Sequence, residues 1–318
     1  MLLGLLPAYE IMIAKRGRET YLPLHLFKNI RFQSAAWNTG IAAGVYYGFA
    51  IIFPQVVTII YFGRGEISEY DIGTLAGLCA MGFVFAQMCH GFIVWFTGPK
   101  WGMIGKSLDP ACGSVLTFML AGAAAIGAAL LTAGAANIDN RQQTMGLIIV
   151  GAYAMGVVES ISITTSTFPL RSQEEIGQGG GLSGSTRNFV SAISVAVYTA
   201  TLSNRLNTTV PKEVYPVATA MGLPADSLEI LASALRGGIS FDAVTGLTPA
   251  IKAAVEEPFR VAFRDAAKTV FLVSFAFSGA ALILSFFTTN NDKSMENFVA
   301  AGVHQDAVII DEKRIDDH

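Results

Sequence analysis

Charged residues are scarce in this sequence, and their scarcity excludes an ordinary water-soluble domain. Only 14% of the 318 residues are Asp, Glu, Lys or Arg, whereas 52% are hydrophobic and the mean hydropathy is +0.50. Soluble domains carry about 25% charged residues. The net charge of −3 supplies no basic excess for a nucleic-acid partner. We therefore expect an integral membrane protein whose main surroundings are the lipid bilayer.

Cysteine and catalytic motifs are also sparse. The three cysteines, Cys79, Cys89 and Cys112, fall within or at the edge of apolar stretches, which predicts neither a disulfide framework nor a zinc site. No G-x-S-x-G, paired metal ligands or nucleophile-base spacing appears. The sequence therefore predicts no catalytic residues, no cofactor and no metal, and a membrane-embedded enzyme is the weakest of the alternatives.

A nucleotide site is excluded in spite of a formal G-x-G-x-x-G at Gly179, Gly181 and Gly184. A dinucleotide fingerprint needs an acidic residue about 20 positions later, and the next acid here is Glu213. No P-loop lysine follows the glycines either. We therefore interpret these glycines as residues of a membrane-spanning helix.

Apolar runs long enough to cross a membrane predict an all-α bundle of six transmembrane helices. Residues 1–14 are too short to cross alone and are expected to be the tail of an incomplete transmembrane helix. The predicted spans are approximately 35–61, 72–96, 110–136, 145–168, 177–202 and 269–289. The chain thus divides into that tail, a cytoplasmic loop (15–34), five helices (35–202), an outer loop with short amphipathic helices (203–268), the last helix (269–289) and a cytoplasmic tail (290–318).

Basic residues in the short loops set this orientation, because Lys and Arg resist translocation. They concentrate before the first predicted span and after the second and fourth, which places the C-terminus in the cytoplasm and residues 203–268 outside. A glycosylation sequon at Asn207, in Asn207-Thr208-Thr209, is compatible with that side.

Small residues four apart allow membrane helices to approach closely, since lipid gives apolar burial little driving force. The sequence predicts helix packing at nine glycines. These are Gly40, Gly44 and Gly48 in the first span, Gly73 and Gly77 in the second, and Gly177, Gly180, Gly181 and Gly184 in the fifth.

Polar groups deep in the spans are candidates for a substrate pathway, because an ionisable group near the bilayer centre costs about 2.5 to 3.5 kcal/mol on insertion scales. Glu159 and Arg187 lie at similar depths, and their pairing would relieve both costs. Either a static ion pair or a protonatable Glu159 coupled to Arg187 fits the sequence. The other candidates are Asn38, Tyr46, Tyr47, Gln55, Gln87, His90 and Asn188.

Four stretches carry a resemblance to a known family. They are LPLHLFKNIRF, the GVVES of the fourth span, EEIGQGGGLSGSTRNFVSAISVAVYTATLSNRL and MGLPADSLEIL. Together the chain resembles the C-terminal half of a major facilitator superfamily transporter. It is most similar to the fungal trichothecene-efflux and siderophore-iron branch, which has 14 spans.

The resemblance implies proton-coupled efflux or uptake of a small amphipathic molecule such as a toxin, drug or siderophore, with the first, second, fourth and fifth spans lining the cavity. It also implies a missing N-terminal half of six to eight helices as a partner, so the chain alone is expected to be inactive. The plasma membrane is the expected location, with a vacuolar or vesicular membrane as alternatives. A non-transporting membrane scaffold or regulatory fragment is the alternative function.

Overall fold

A computed structural model describes residues 12, 25–103, 115–136, 138–167, 170 and 173–288. Within those ranges every regular element is a helix, which confirms the predicted all-α class. The predicted segment 1–14, apart from residue 12, and the predicted tail 290–318 lie outside the described residues, as does 15–24 of the predicted cytoplasmic loop.

The eight α-helices follow the predicted order of spans. They are α1 (Ile30–Val56), α2 (Glu69–Ala76), α3 (Leu78–Met103), α4 (Val115–Leu131), α5 (Arg141–Thr167), α6 (Gln173–Ala220), α7 (Leu228–Leu235) and α8 (Pro249–Ser285). Wider π-helical turns extend α1 through Val57–Phe62 and α4 through Thr132–Ala136.

Side-chain caps fix the starts of two long helices. The Asn29 carboxamide oxygen accepts hydrogen bonds from the backbone N–H groups of Arg31 and Phe32 at 3.1 and 3.3 Å, which begins α1. Thr248 accepts from the N–H of Ile251, and Pro249 occupies the first turn of α8. Both arrangements satisfy N–H groups that a helix start otherwise leaves without partners.

Four helical stretches in the described residues are long and apolar enough to cross a membrane. They are Ile30–Phe62, Glu69–His90, Arg141–Thr167 and Pro249–Ser285, and Met119–Gly134 is a shorter apolar helix. The predicted fifth span is not among them, because glycine, serine, threonine and Arg187 lower the hydropathy of α6. This helix nevertheless packs along both α1 and α8 in the bundle.

The outer segment, 203–268, is largely helical. Helix α6 continues without a break to Ala220, α7 follows it, and α8 begins at Pro249, so both long helices extend beyond the predicted spans, whose membrane boundaries stay predictions. With 48 residues, α6 extends for about 72 Å, whereas the hydrocarbon core of a bilayer is about 30 Å thick. Residues 203–268, here called the cap, are therefore the projecting ends of α6 and α8 with α7 between them.

Glycines on α1 lie in close contact with α6, and this contact is here called the glycine seam. A Cβ added at Gly40 would lie 2.6 Å from the Val190 Cβ, and one at Gly48 would lie 2.2 Å from the Tyr198 ring. One at Gly44 would meet the Ser194 side chain at 2.4 Å. Both helices advance by four residues from contact to contact in the same direction, so α1 and α6 are parallel neighbours.

The remaining glycines for which packing was predicted make no close contact with another described helix, and their packing stays a prediction. At Gly73, Gly177, Gly180, Gly181 and Gly184, no atom beyond the adjacent turns of the same helix lies within 4 Å of an added Cβ. Gly77 meets only carbonyl oxygens of its own helix. These residues have the right spacing, but they lie on helix faces that no other described segment covers.

Ion pairs around Asp139, here called the clasp, join three segments near the cap end of the bundle. The Asp139 carboxylate, between α4 and α5, lies 2.6 Å from the Arg64 guanidinium of the α1–α2 loop and 3.5 Å from that of Arg264 in α8. Beside it, the Tyr61 hydroxyl donates to the Ile138 carbonyl at 3.0 Å. Burial opposes ionisation of Asp139, but the Arg64 hydrogen bond and the charges of Arg264 and Arg64 hold its pKa below the ordinary value.

The α1–α6 seam predicts a large effect of a single methyl group. We expect Gly48→Ala to lower the stability of the purified chain by about 1 to 3 kcal/mol, because the buried Tyr198 ring must move to admit the Cβ. Thermal unfolding in detergent measures the change. Gly181→Ala on α6 is the matched control and should be neutral or slightly stabilising. Equal losses in the two variants would contradict the seam.

The clasp predicts a pH dependence with a defined sign. A carboxylate whose pKa is lower in the folded chain stabilises the fold above its unfolded pKa of about 3.9, and this contribution disappears as the pH falls through the folded value. Asp139→Asn should therefore flatten the decline of the melting temperature below about pH 4. Asp226→Asn, an exposed cap residue, is the control. Parallel melting curves for Asp139→Asn and the parent chain would contradict this role.

Candidate functional site

A buried ion pair lies between α5 and α6. The Glu159 side chain is 1% exposed, and its Oε1 accepts a hydrogen bond from Arg187 Nε at 2.5 Å. The pairing expected from the similar depths of these residues in their spans is therefore present. Because an unpaired charge in this position would be strongly unfavourable, each side chain constrains the other.

Two further helices complete what is here called the polar cluster, Glu159, Arg187, Gln87 and Tyr47. Gln87 on α3 donates from Nε2 to Glu159 Oε2 at 3.1 Å, so both carboxylate oxygens accept a hydrogen bond. Arg187 donates from Nη2 to the Tyr47 hydroxyl on α1 at 3.3 Å and lies 5.5 Å above the ring of that tyrosine. The cluster thus joins α1, α3, α5 and α6.

Close backbone approach brings Gln87 to Glu159. Gly156 lies one turn before Glu159 on α5, and a Cβ there would be 2.4 Å from the Phe83 carbonyl oxygen and 2.8 Å from the Ala86 Cβ on α3. In the same way, the close approach of α1 and α6 along the glycine seam brings Tyr47 within reach of Arg187. Gly156 was not singled out from the sequence, although its position three residues before a buried acid was a usable signal.

The adjacent tyrosines of α1 point to different neighbours. The Tyr46 ring stacks on Phe83 of α3 with centroids 4.0 Å apart and planes 9° apart, whereas Tyr47 reaches α6. Only Tyr47 contributes a hydroxyl to the polar cluster. Tyr46 and Phe83 form an aromatic wall beside it, and the part played by Phe83 was missed from the sequence because nothing in its own span distinguishes it from other phenylalanines.

The other predicted pathway residues lie elsewhere. Asn38 is fully buried and donates from Nδ2 to the Ser285 hydroxyl at 3.1 Å, so it links α1 to α8. Gln55 donates to the carbonyl of Ile51 in its own helix. His90 is half-buried, and its Nε2 has no hydrogen-bond partner among the described residues. Asn188 is exposed on α6 beside Arg187.

The predicted glycosylation residue has an unexpected neighbour. Asn207 lies inside α6, and its carboxamide oxygen accepts a hydrogen bond from Arg236, which directly follows α7. Glycosylation at this position stays a prediction. The same contact ties α7 back onto α6.

The polar cluster is closed on one side and open on the other. Glu159 is enclosed, whereas the Arg187 side chain is 23% exposed and Tyr47 is 37% exposed. A ligand at the open edge would meet a guanidinium and a phenol hydroxyl, with the carboxylate behind them. Among the described residues, no group of three or more His, Cys, Asp or Glu side chains could hold a metal ion.

Known proteins provide two comparisons, and no protein-family model matches the chain. The chain is 24% identical over 270 residues to an MFS-type transporter, prx5, of Penicillium rubens. This similarity supports membership of the major facilitator superfamily. The match covers 84% of the chain and 45% of the relative, so the chain spans about half the length of the curated relative it matches.

A solved structure is also similar in part. It is the crystal structure of a bacterial homologue of the human lysosomal transporter Spinster, in an inward-facing and unoccupied conformation. The match has 15% sequence identity and a TM-score of 0.48, and it covers 83% of this chain and 50% of the other.

The ion pair predicts strong energetic coupling between α5 and α6. Glu159→Gln leaves the Arg187 charge without its counter-ion and should destabilise the chain by about 3 to 5 kcal/mol, as breaking a buried pair does. The double variant Glu159→Gln with Arg187→Gln should recover part of the loss, because it removes both charges. Thermal unfolding of the two single variants and the double variant in detergent measures the coupling. Additive losses would contradict a direct interaction.

Proposed function

We propose that this chain forms one half of a transporter of the major facilitator type, in which the polar cluster lines the substrate pathway. The observation that carries the proposal is the convergence of α1, α3, α5 and α6 on one buried ion pair with an open edge. These helices correspond to the first, second, fourth and fifth predicted spans. The similarity to a transporter over 84% of the chain supports the same function class, and a transporter rather than an enzyme is the conclusion.

The proposed proton coupling rests on the chemistry of the ion pair. If Glu159 takes up a proton, its attraction to Arg187 is lost, and the guanidinium becomes available to an anionic or polar substrate. If the substrate leaves, Arg187 can pair again with the ionised Glu159. Because Gln87 donates a hydrogen bond to the same carboxylate, protonation of Glu159 would change a contact with α3 as well as the contact with α6.

The proposed substrate is a small amphipathic molecule. The open edge offers the Arg187 guanidinium and the Tyr47 hydroxyl, while Tyr46 and Phe83 supply an adjacent aromatic surface. Ligand sites typically combine a few directed polar groups with apolar walls. A hydroxamate siderophore or a terpenoid toxin has this mixed character, as the resemblance to the trichothecene-efflux and siderophore-iron branch implies.

A second bundle of six to eight helices is the proposed partner. The chain matches 45% of the length of its relative, and alternating access in such transporters depends on two halves. The uncovered glycines of α6, which include Gly177, Gly181 and Gly184, offer a face on which another helix could pack closely. We place the assembly in the plasma membrane, with the C-terminus in the cytoplasm.

Ligand binding by the purified chain in lipid nanodiscs tests the pathway. We expect a ferric hydroxamate siderophore or a trichothecene to bind, and Glu159→Gln and Arg187→Ala to weaken binding at least about tenfold, since each removes a charge-assisted contact. Isothermal titration calorimetry measures the affinities. Ala124→Val on α4 is the control and should bind as the parent does. Unaltered binding in both cluster variants would contradict the proposed pathway.

Flux measurements test the requirement for a second half. Liposomes that contain only this chain should show no proton-driven accumulation of the siderophore or trichothecene that binds in the calorimetry. Proton-dependent flux by the chain alone would contradict the half-transporter proposal. Correct membrane insertion with no ligand binding by any variant would favour a scaffold or regulatory fragment instead.

A further inference from the structure

The cap contains a cavity that is separate from the polar cluster. It lies between the projecting part of α6 and the short helix α7, and its volume is about 340 Å³. Small-molecule sites typically occupy about 300 to 1,000 Å³. Asn207 of α6 borders the cavity and follows Arg187 by 20 residues, which corresponds to about 30 Å along the helix. A ligand here would therefore not contact the polar cluster.

Opposite charges line the two ends of this cavity. Glu229 lies in the first turn of α7 and Arg236 directly follows its last residue, so about 10 Å of helix axis separates the two positions. Between the two charges the cavity is bordered by Val210 and Pro211 of α6 and by Ala232 of α7, and of these only Pro211 is partly exposed. The cavity thus has a negative end, a positive end and a short apolar stretch at Pro211.

The structure holds the positive end in place. Arg236 donates from Nε to the Ala232 carbonyl at 3.0 Å and from Nη1 to the Asn207 carboxamide oxygen. Within the part of the chain that the structure describes, no hydrogen bond engages its Nη2. A guanidinium oriented in this way can bind an anion with little further loss of side-chain freedom.

The opposite end is acidic. Tyr215 borders the cavity with Glu229, and burial together with the Glu229 carboxylate raises the pKa of this tyrosine, while Arg236 opposes the shift. The phenol therefore stays protonated at neutral pH and can donate a hydrogen bond. Glu229 is exposed and forms no ion pair with any described residue, so its carboxylate is available to a cationic ligand group.

We propose that this cavity binds a small zwitterion in which an apolar chain separates a protonated amine from a carboxylate or another anionic group. The anionic group pairs with Arg236, the amine with Glu229, and the chain lies against Pro211. A ligand with one charge leaves the opposite end of the cavity unpaired and loses affinity. Because the ligand contacts both α6 and α7, its binding stabilises the cap.

Calorimetry on the full chain in nanodiscs tests the proposal without any variant. The probes are 4-aminobutanoate, 6-aminohexanoate and 8-aminooctanoate, with hexylamine and hexanoate as single-charge controls and empty nanodiscs as the blank. We expect 6-aminohexanoate or 8-aminooctanoate to bind at least about tenfold more tightly than either single-charge control, since one charge-assisted contact is lost in each. No detectable binding of the three zwitterions, or equal affinity for hexylamine or hexanoate, would overturn the proposal.

Charge-neutralising variants locate the site. Arg236→Gln and Glu229→Gln should each weaken zwitterion binding at least about tenfold. Lys212→Ala and Glu256→Gln, which alter exposed cap charges that do not border the cavity, should leave it unchanged. Retention of zwitterion binding in both Arg236→Gln and Glu229→Gln, or an equal loss of binding in Lys212→Ala and Glu256→Gln, would overturn the cap site.

Discussion

The ion pair between Glu159 and Arg187 constrains the arrangement of the helices around it. A charge inside an apolar bundle requires a counter-charge and further hydrogen bonds, and here α3 and α1 provide those bonds through Gln87 and Tyr47. Four helices are therefore fixed relative to one another at a single depth. A change in the charge of Glu159 would alter its own contacts with α3 and α6 and, through Arg187, the contact with α1.

Glycines make this geometry possible. Lipid provides little hydrophobic drive for helix association, so close backbone approach has to supply the packing energy. The glycine seam on α1 allows Tyr47 to contact α6, and Gly156 on α5 allows Glu159 to contact α3. The polar contacts and the small-residue contacts therefore depend on each other, and a larger residue at either seam would separate the partners of the ion pair.

The sequence was sufficient for the class of fold and for the pairing of Glu159 with Arg187, because hydropathy and depth in a helix are local properties of the chain. It could not separate Gly44, which contacts α6, from Gly181, which contacts no other described helix, since spacing shows which face is small but not which face is covered. Asn38 illustrates the same point, because its burial against Ser285 depends on where α8 lies. The continuation of α6 to Ala220 was missed, because residues 203–220 are too polar to be recognised as part of an apolar span.

The length of α6 links the membrane part of the bundle to the cap. Arg187 and Asn207 belong to one unbroken helix, and Arg236 connects Asn207 to α7. Helix α6 therefore contributes both to the polar cluster and to the wall of the cap cavity. At the same end of the bundle, the clasp around Asp139 holds α8 to the loops that follow α1 and α4. Helix α6 is in turn linked to α8 by a buried hydrogen bond from the Tyr198 hydroxyl to the Ser274 hydroxyl, so a movement of α6 relative to α8 has to rearrange that contact.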